Sequence, residues 1–203
     1  MTPDTQPILK IGAVLFLGFE LLDLYGPLEM LGLLGDRVSI TLLAEKPGAI
    51  ISSVGVMGFA ESSLNDPGAL DLLLIPGGIG TRSLVKDDHF LALLKSKAEA
   101  SALVATVCTG SALLAKTGLL DGHRATSNKI AFDWVTEQGP GVHWIRKARW
   151  VEDGKYFTSS GISAGIDMTL GLISHLYGRE RALEVAHRAE YPWNENSSND
   201  PFA

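Results

Sequence analysis

Residues 103–111 read L-V-A-T-V-C-T-G-S. Leu103 to Val107 is an apolar run of strand length, the signature of a strand buried on both faces of a parallel sheet. It runs straight into Cys108, and Gly110 follows two residues later. A helix is predicted from Ser111 to Thr117, closed by Gly118. A side chain on so sharp a strand-to-helix turn points into the crevice beyond the sheet, as in a nucleophile elbow. The free N–H groups and dipole of the following helix favour an anion there, so the expectation for Cys108 is a reactive thiol with a lowered pKa. The competing reading is a small buried hydrophobe, the commoner fate of a lone cysteine.

The same strand-then-helix grammar extends outward in both directions. Ile8 to Phe16, Val38 to Leu43 and Leu70 to Ile75 are further strand candidates. Helices are predicted over Leu21 to Leu34, Asp88 to Ala100, Ile130 to Glu137, Ser163 to Tyr177 and Glu180 to Ala189. Between them, Ile50 to Ala60 reads as two short extended pieces. His143 to Ile145 and Arg149 to Val151 read as short strands, and Asp153-Gly154 as the turn of a hairpin leading to Tyr156–Thr158. Short apolar strands alternating with helices predict an α/β fold with a mainly parallel sheet covered on both faces. No repeat or linker interrupts residues 1–203, so one domain is expected, with a core over about 8–191 and a polar tail, 192–203, on the surface.

Composition narrows the function. The chain has 203 residues, 46% hydrophobic and 20% charged, with a formal net charge of -6. Without a cluster of cations to neutralise phosphates, nucleic acid is not an expected partner. A single cysteine excludes an intramolecular disulfide and a cysteine-rich zinc module. The polar start M-T-P-D-T-Q-P lacks the basic and apolar regions of a signal peptide. No run approaches the ~20 apolar residues of a membrane span. A cytoplasmic protein is the expectation. The five histidines fall in no metal-binding spacing, and neither a metal nor another cofactor is expected. His89 and His187 read as solvated, and His175, on an apolar helix, as a core histidine.

Sheets of this kind bind ligands beyond the carboxyl ends of their strands. Three predicted loops lie there: Phe19 to Pro27, Pro76 to Gly80, and Val107 to Ser111. In the second, the amides of Gly77 and Gly78 can approach a ligand closely and receive developing negative charge, with the Thr109 amide as a further donor; a plain glycine turn is the alternative. In the first, Asp23 stands among Leu21, Leu22 and Leu24. Apolar surroundings raise a carboxyl pKa and suit it to proton transfer. Alternatively, Asp23 caps the helix. Because Pro27 belongs in a first helical turn, Asp23 is expected on the approach to that helix and not in its body.

Four segments, D-L-Y-G-P (23–27), I-P-G-G-I-G (75–80), V-C-T-G-S-A-L-L-A (107–115) and S-G-I-S-A-G-I-D (160–167), occur in this order. Together they resemble the ThiJ/PfpI family, which is class I glutamine amidotransferase-like, and within it the isonitrile hydratases and the sensor domains of AraC-type regulators. The resemblance implies a three-layer α/β/α sandwich, flavodoxin-like in outline, and a homodimer. It implies a nucleophilic Cys108 with Asp23 as its acid partner, Thr109 beside the nucleophile, the Gly77 and Gly78 amides in an oxyanion or substrate-binding role, and Gly161 and Ile162 in the loop closing the pocket.

The chain departs from its likenesses in two places. Ser127 and Asn128 stand where relatives often carry a histidine, which removes weight from Cys-His peptidase and amidotransferase chemistry. Ser159-Ser160 replaces a glycine run before Gly161. The expected function is hydration of a small isocyanide to an N-substituted formamide through a covalent thioimidate, without metal or nucleotide. The alternatives are a ligand- or redox-sensing module without turnover and a glyoxalase-like activity on reactive carbonyls. A complete AraC-type regulator would need a further helix-turn-helix domain of about 100 residues.

Overall fold

The computed structural model describes residues 7–203, and the polar start discussed above lies outside them. Strand β1 (Leu9–Val14) leads into helix α1 (Leu21–Gly32), β2 (Val38–Ala44), the hairpin β3 (Gly48–Ile51) and β4 (Met57–Ala60), and the short β5 (Ser62–Ser63). Then follow β6 (Leu72–Ile75), α2 (Thr81–Leu84), α3 (Asp88–Ala100), β7 (Leu103–Val107) and α4 (Gly110–Lys116). The last part comprises β8 (Arg124–Ala125), α5 (Phe132–Gln138), β9 (His143–Trp144), β10 (Trp150–Asp153), β11 (Tyr156–Ser159), α6 (Ala164–Tyr177) and α7 (Arg179–Arg188).

The main sheet has the order β10-β11-β7-β6-β1-β2-β5. Every neighbouring pair in it is parallel except the β10–β11 hairpin. All four residues of β6 and of β11 are buried, which explains why Leu72–Ile75 is uniformly apolar. Helices α1, α6 and α7 pack together on one side of the sheet, and α2 to α5 form the other layer. The three-layer α/β/α architecture expected from the sequence is the one observed.

From β1 the chain first adds β2 on one side and later β6 on the other. The reversal opens a crevice beyond the carboxyl ends of β1 and β6, where open α/β sheets place their ligands. A single antiparallel bridge between Phe19 and Gly78 ties the two loops there. Leu74 pairs with Ala105 and Ile75 with Thr106, so β7 delivers Cys108 to the same edge.

Two local expectations differ from the structure. Helix α1 starts at Leu21, so Asp23 lies in its first turn and Pro27 inside it. Pro27 forfeits one backbone hydrogen bond, but its ring packs where Gly165 of α6 presents no side chain; a Cβ at Gly165 would stand 3.4 Å from Pro27 Cγ. His175, expected in the core, faces outward on α6 with its Nδ1 2.9 Å from Glu152 Oε1.

Candidate active site

The elbow forms as its sequence implies. Cys108 has φ +57°, one of two non-glycine residues with positive φ among those described. That conformation is disfavoured for a side chain with a Cβ, and surrounding contacts must hold it. The Cys108 amide donates to the carbonyls of Ser159 and Ser160, and the Cys108 carbonyl accepts from Ser127 Oγ at 2.8 Å. The side chain is 6% exposed.

Asp23 is fully buried and comes to Cys108 from α1. It does not cap the helix: Glu20 occupies the N-cap, and Asp23 Oδ2 instead accepts the Gly77 amide at 3.1 Å. Its other oxygen, Oδ1, is buried without a well-aligned donor, and the carboxyl's remaining polar interaction is with the Cys108 side chain. Burial, reinforced by nearby Glu20, pushes the carboxyl up to about 8 against the lowering effect of Cys108 and Gly77. Asp23 is therefore a neutral acid at pH 7.

The thiol does not follow the sequence expectation of a lowered pKa. Burial first, and then the Asp23 carboxyl, push Cys108 well above its ordinary value. The Thr109 amide and the Asn128 side chain pull the other way and are outweighed. Helix α4 has only seven residues, and its N-terminus cannot offset removal of the thiolate from water.

The two glycines of the Pro76–Gly80 loop stand against Asp23 and Thr109. The Gly77 amide donates to Asp23 Oδ2 at 3.1 Å and the Gly78 amide to Thr109 Oγ1 at 3.0 Å, so both organise the site. Gly77 is needed for close approach: a Cβ there would lie 2.6 Å from the Thr109 nitrogen and 2.8 Å from Asp23 Oδ2. Gly161 is equally tight, its hypothetical Cβ standing 2.5 Å from Asn128 Nδ2 and 2.7 Å from Cys108 Sγ. Gly161 thus forms the floor over the sulfur, and Ile162 lies at the mouth, 42% exposed.

Sequence reasoning treated Asn128 only as a missing histidine. Its Oδ1 accepts the Ala131 amide at 2.9 Å, which turns Nδ2 toward Cys108 as a donor. The signal was present in the A-T-S-N-K stretch, but only the fold shows that it faces the sulfur. Arg82 was likewise missed and lines the same cavity of about 250 Å³ as Cys108 and Thr109. A larger apolar cavity of about 690 Å³ adjoins it, lined by Leu22, Ile130, Ile162 and Phe202. Phe202 comes from the tail, which is pinned in place: Asp167 binds Arg149 and the Asn194 amide, and buried Asp200 faces Lys129 and Arg149. Among the described residues no group of three or more His, Cys, Asp or Glu side chains could hold a metal ion.

Such an elbow cysteine paired with a buried acid from α1 invites comparison with known proteins. The model of the DJ-1/PfpI family matches residues 10–175. The chain belongs to this family. Among characterised members it is 37% identical over 183 residues to the isonitrile hydratase of Pseudomonas putida, covering 90% of this chain and 78% of that one. It is also 28% identical to the HTH-type transcriptional regulator GbdR of Pseudomonas aeruginosa, covering 93% of this chain but only 52% of the regulator. The crystal structure of a ThiJ/PfpI family protein from Pseudomonas syringae superposes with a TM-score of 0.84 at 27% identity, over 96% of this chain and 83% of that one. The DJ-1/PfpI family thus spans a hydratase and regulators. No described helix is long and apolar enough to cross a membrane.

Proposed function

We propose that this DJ-1/PfpI protein hydrates isonitriles to N-substituted formamides, with Cys108 as nucleophile and Asp23 as the proton carrier. The observation that carries the reading is the buried pair itself: a carboxyl held neutral to about 8 against the only thiol of the chain. Burial keeps both groups protonated at neutral pH, and the reactive form is the minor state in which Cys108 has given up its proton while Asp23 keeps its own.

The chemistry balances with these two groups. The thiolate attacks the terminal isonitrile carbon while that carbon takes the Asp23 proton, leaving a thioimidate, R–N=CH–S–Cys, and a carboxylate. Asp23 then takes a proton from water as its oxygen adds to carbon, and passes the proton to nitrogen. Collapse of the adduct expels the thiolate, forms the formamide C=O and returns the hydroxyl proton to Asp23. The Thr109 amide and Asn128 Nδ2 stabilise the sulfur anion at the start and end of the cycle. The apolar cavity beside the elbow suits a hydrocarbon substituent.

A reduced thiol is required throughout, which fits a reducing compartment such as the cytoplasm. The outer face of the β3–β4 hairpin exposes Ile51, Val54, Val56, Met57 and Phe59. An isolated two-stranded hairpin with such a face is poorly stable in water, and a second copy of the chain covering it as a homodimer follows as part of the proposal; sedimentation equilibrium tests it. The test of the function is incubation of freshly reduced protein with an aryl and an alkyl isocyanide, following formamide. Complete absence of turnover transfers the reading to a sensing module, which the likeness to a regulator supports.

A further inference from the structure

Four other arginines of this chain are matched with acids: Arg146 with Asp133, Arg149 with Asp167, Arg179 with Glu195 and Arg181 with Glu184. Arg82 is not. It is the second residue of α2, directly after the G-G-I-G-T turn, and no carboxylate lies within ion-pair distance of it among the described residues. Its guanidinium lies over the Trp134 ring of α5, with Cζ 3.4 Å from the ring centroid, and one terminal nitrogen donates to Thr81 Oγ1 at 3.1 Å. Thr81 Oγ1 in turn lies 3.2 Å from Thr109 Oγ1, which links the arginine to the residue after the nucleophile.

Arg82 is therefore a fixed cation with unused donors. Stacking on an aromatic ring removes much of the rotamer freedom that makes a surface arginine a poor binder. It lines the same small cavity as Cys108, whose other walls include the apolar side chains of Ile79, Ile130 and Ile162. Partial burial depresses the guanidinium, and a thiolate at Cys108, when it forms, opposes that depression. One acid shares the cavity, Glu20, and its Oε2 is engaged by Ser53 Oγ at 2.9 Å. The field at the mouth is thus directional: an anion is drawn to the Arg82–Trp134 side and repelled from the Glu20 side.

We propose that Arg82 anchors a carboxylate on the molecule that reaches Cys108, so that the site takes small isonitriles bearing a carboxylate in preference to neutral ones of the same shape. A planar carboxylate matches the guanidinium fork in a way that a monodentate polar group does not. The reaction in this statement rests on the hydratase reading, whereas the anion anchor does not.

The two are separated by alkylation. Cys108 is the only cysteine, so iodoacetate and iodoacetamide can form a thioether only there, with iodide leaving and the thiol proton passing to solvent. The two reagents are close in size and differ in charge. The expected result is a ratio of rate constants, iodoacetate over iodoacetamide, about tenfold higher in the wild type than in Arg82→Gln, the scale of one charge-assisted contact. Arg82→Lys should keep part of that ratio, Glu20→Gln should raise it, and added salt should lower it. With 4-isocyanobenzoate and its methyl ester, the ratio of kcat/KM values should fall by a similar factor in Arg82→Gln. Equal slowing of both alkylating reagents in a folded Arg82→Gln protein would make Arg82 structural and overturn the proposal. So would a wild-type ratio equal to that of a small free thiol. Charge selectivity in alkylation without turnover of either isocyanide would leave the anchor standing and reject the hydratase.

Discussion

The Asp23 carboxyl and the Cys108 thiol meet at a buried site, and the carboxyl accepts the Gly77 amide while pushing the thiol pKa up. Both groups are protonated at neutral pH, and they titrate as a coupled pair. In such a pair the charge of whichever group ionises first opposes ionisation of the other.

Replacing Cys108 separates chemistry from strain. Cys108→Ala and Cys108→Ser should remove turnover, and both should stay folded. Cys108→Gly should be as inactive, yet melt no lower than Cys108→Ala, because glycine occupies φ +57° without steric cost. Thermal melts of the three proteins and a formamide assay provide the check; turnover in Cys108→Ala would sink the nucleophile.

Asp23→Asn keeps the shape and an oxygen for the Gly77 amide but removes the titrating group. Activity should fall roughly 10²–10⁴-fold, the reach of general acid–base catalysis. In the wild type, kcat should rise with pH toward about 8, where the doubly protonated pair loses its first proton, and this limb should be absent from the residual activity of the variant. Stability carries the same signature. From the ordinary carboxylate range up to about 8 the folded protein holds a proton that the unfolded chain has released, so stability falls with rising pH there. The slope is at most about 1.4 kcal/mol per pH unit for one proton. Denaturant melts from pH 5 to pH 8 should show a steeper decline for the wild type than for Asp23→Asn; parallel curves would place Asp23 among ordinary carboxylates.

The apolar runs at β6 and β7 and the elbow that follows β7 were legible because burial on both sheet faces leaves few residue types to choose from. The start of α1 was misread because Pro27 is a local signal, and a neighbouring glycine, Gly165, overrides it from far along the chain. The sign of the Cys108 shift was misread for a related reason. A helix N-terminus is visible in sequence, whereas the depth of the sulfur and the approach of Asp23 are tertiary facts. The tail read as polar surface, yet Asp200 is buried against Arg149 and Lys129, a pairing that no spacing announces.

Asn128 should matter through its donor and not its bulk. Asn128→Ala removes one of the interactions that lower the Cys108 pKa, so the thiol should need a higher pH to react. Asn128→Asp replaces the donor with a charge of the same sign as the thiolate and should shift the profile further. Rates of iodoacetamide alkylation against pH measure both; coincident profiles for wild type and Asn128→Ala would leave Asn128 a loop-forming residue, bonded to the Ala131 amide.

Gly161→Ala tests the floor of the site. The added methyl would stand 2.7 Å from Cys108 Sγ and 2.5 Å from Asn128 Nδ2. Either the sulfur or the amide must give way, and the Asn128 donor is lost to the thiolate in both cases. Turnover should drop by an order of magnitude or more (about 1.4 kcal/mol for each tenfold) while the far-ultraviolet circular dichroism is unchanged. Wild-type turnover would mean that the loop moves freely and does not shape the site.

The tail depends on one buried ion pair. Arg149 Nε and Nη2 both bind Asp167 Oδ2, at 2.7 and 2.6 Å, and the carboxylate's other oxygen accepts the Asn194 amide at 2.9 Å. The Asp167 carbonyl holds Trp193 Nε1 at 3.1 Å. Arg149 is 6% exposed and Asp167 fully buried, so the pair's own net contribution is small, but breaking it strands a buried cation. Asp200, 3.9 Å away, is too distant and too shared with Lys129 to compensate. Asp167→Ala should therefore cost about 3–5 kcal/mol, lowering Tm by roughly 6–20 °C for a domain of this size. It should also free residues 193–202 to proteolysis before the core unfolds, because those residues lose their anchor while the sheet keeps its own. Phe202 would leave the apolar cavity with them, and kcat/KM for bulky isocyanides should fall more than for small ones. A variant with wild-type melting and an intact tail would show that Arg149 finds another partner and that Asp167 does not fasten the cavity wall.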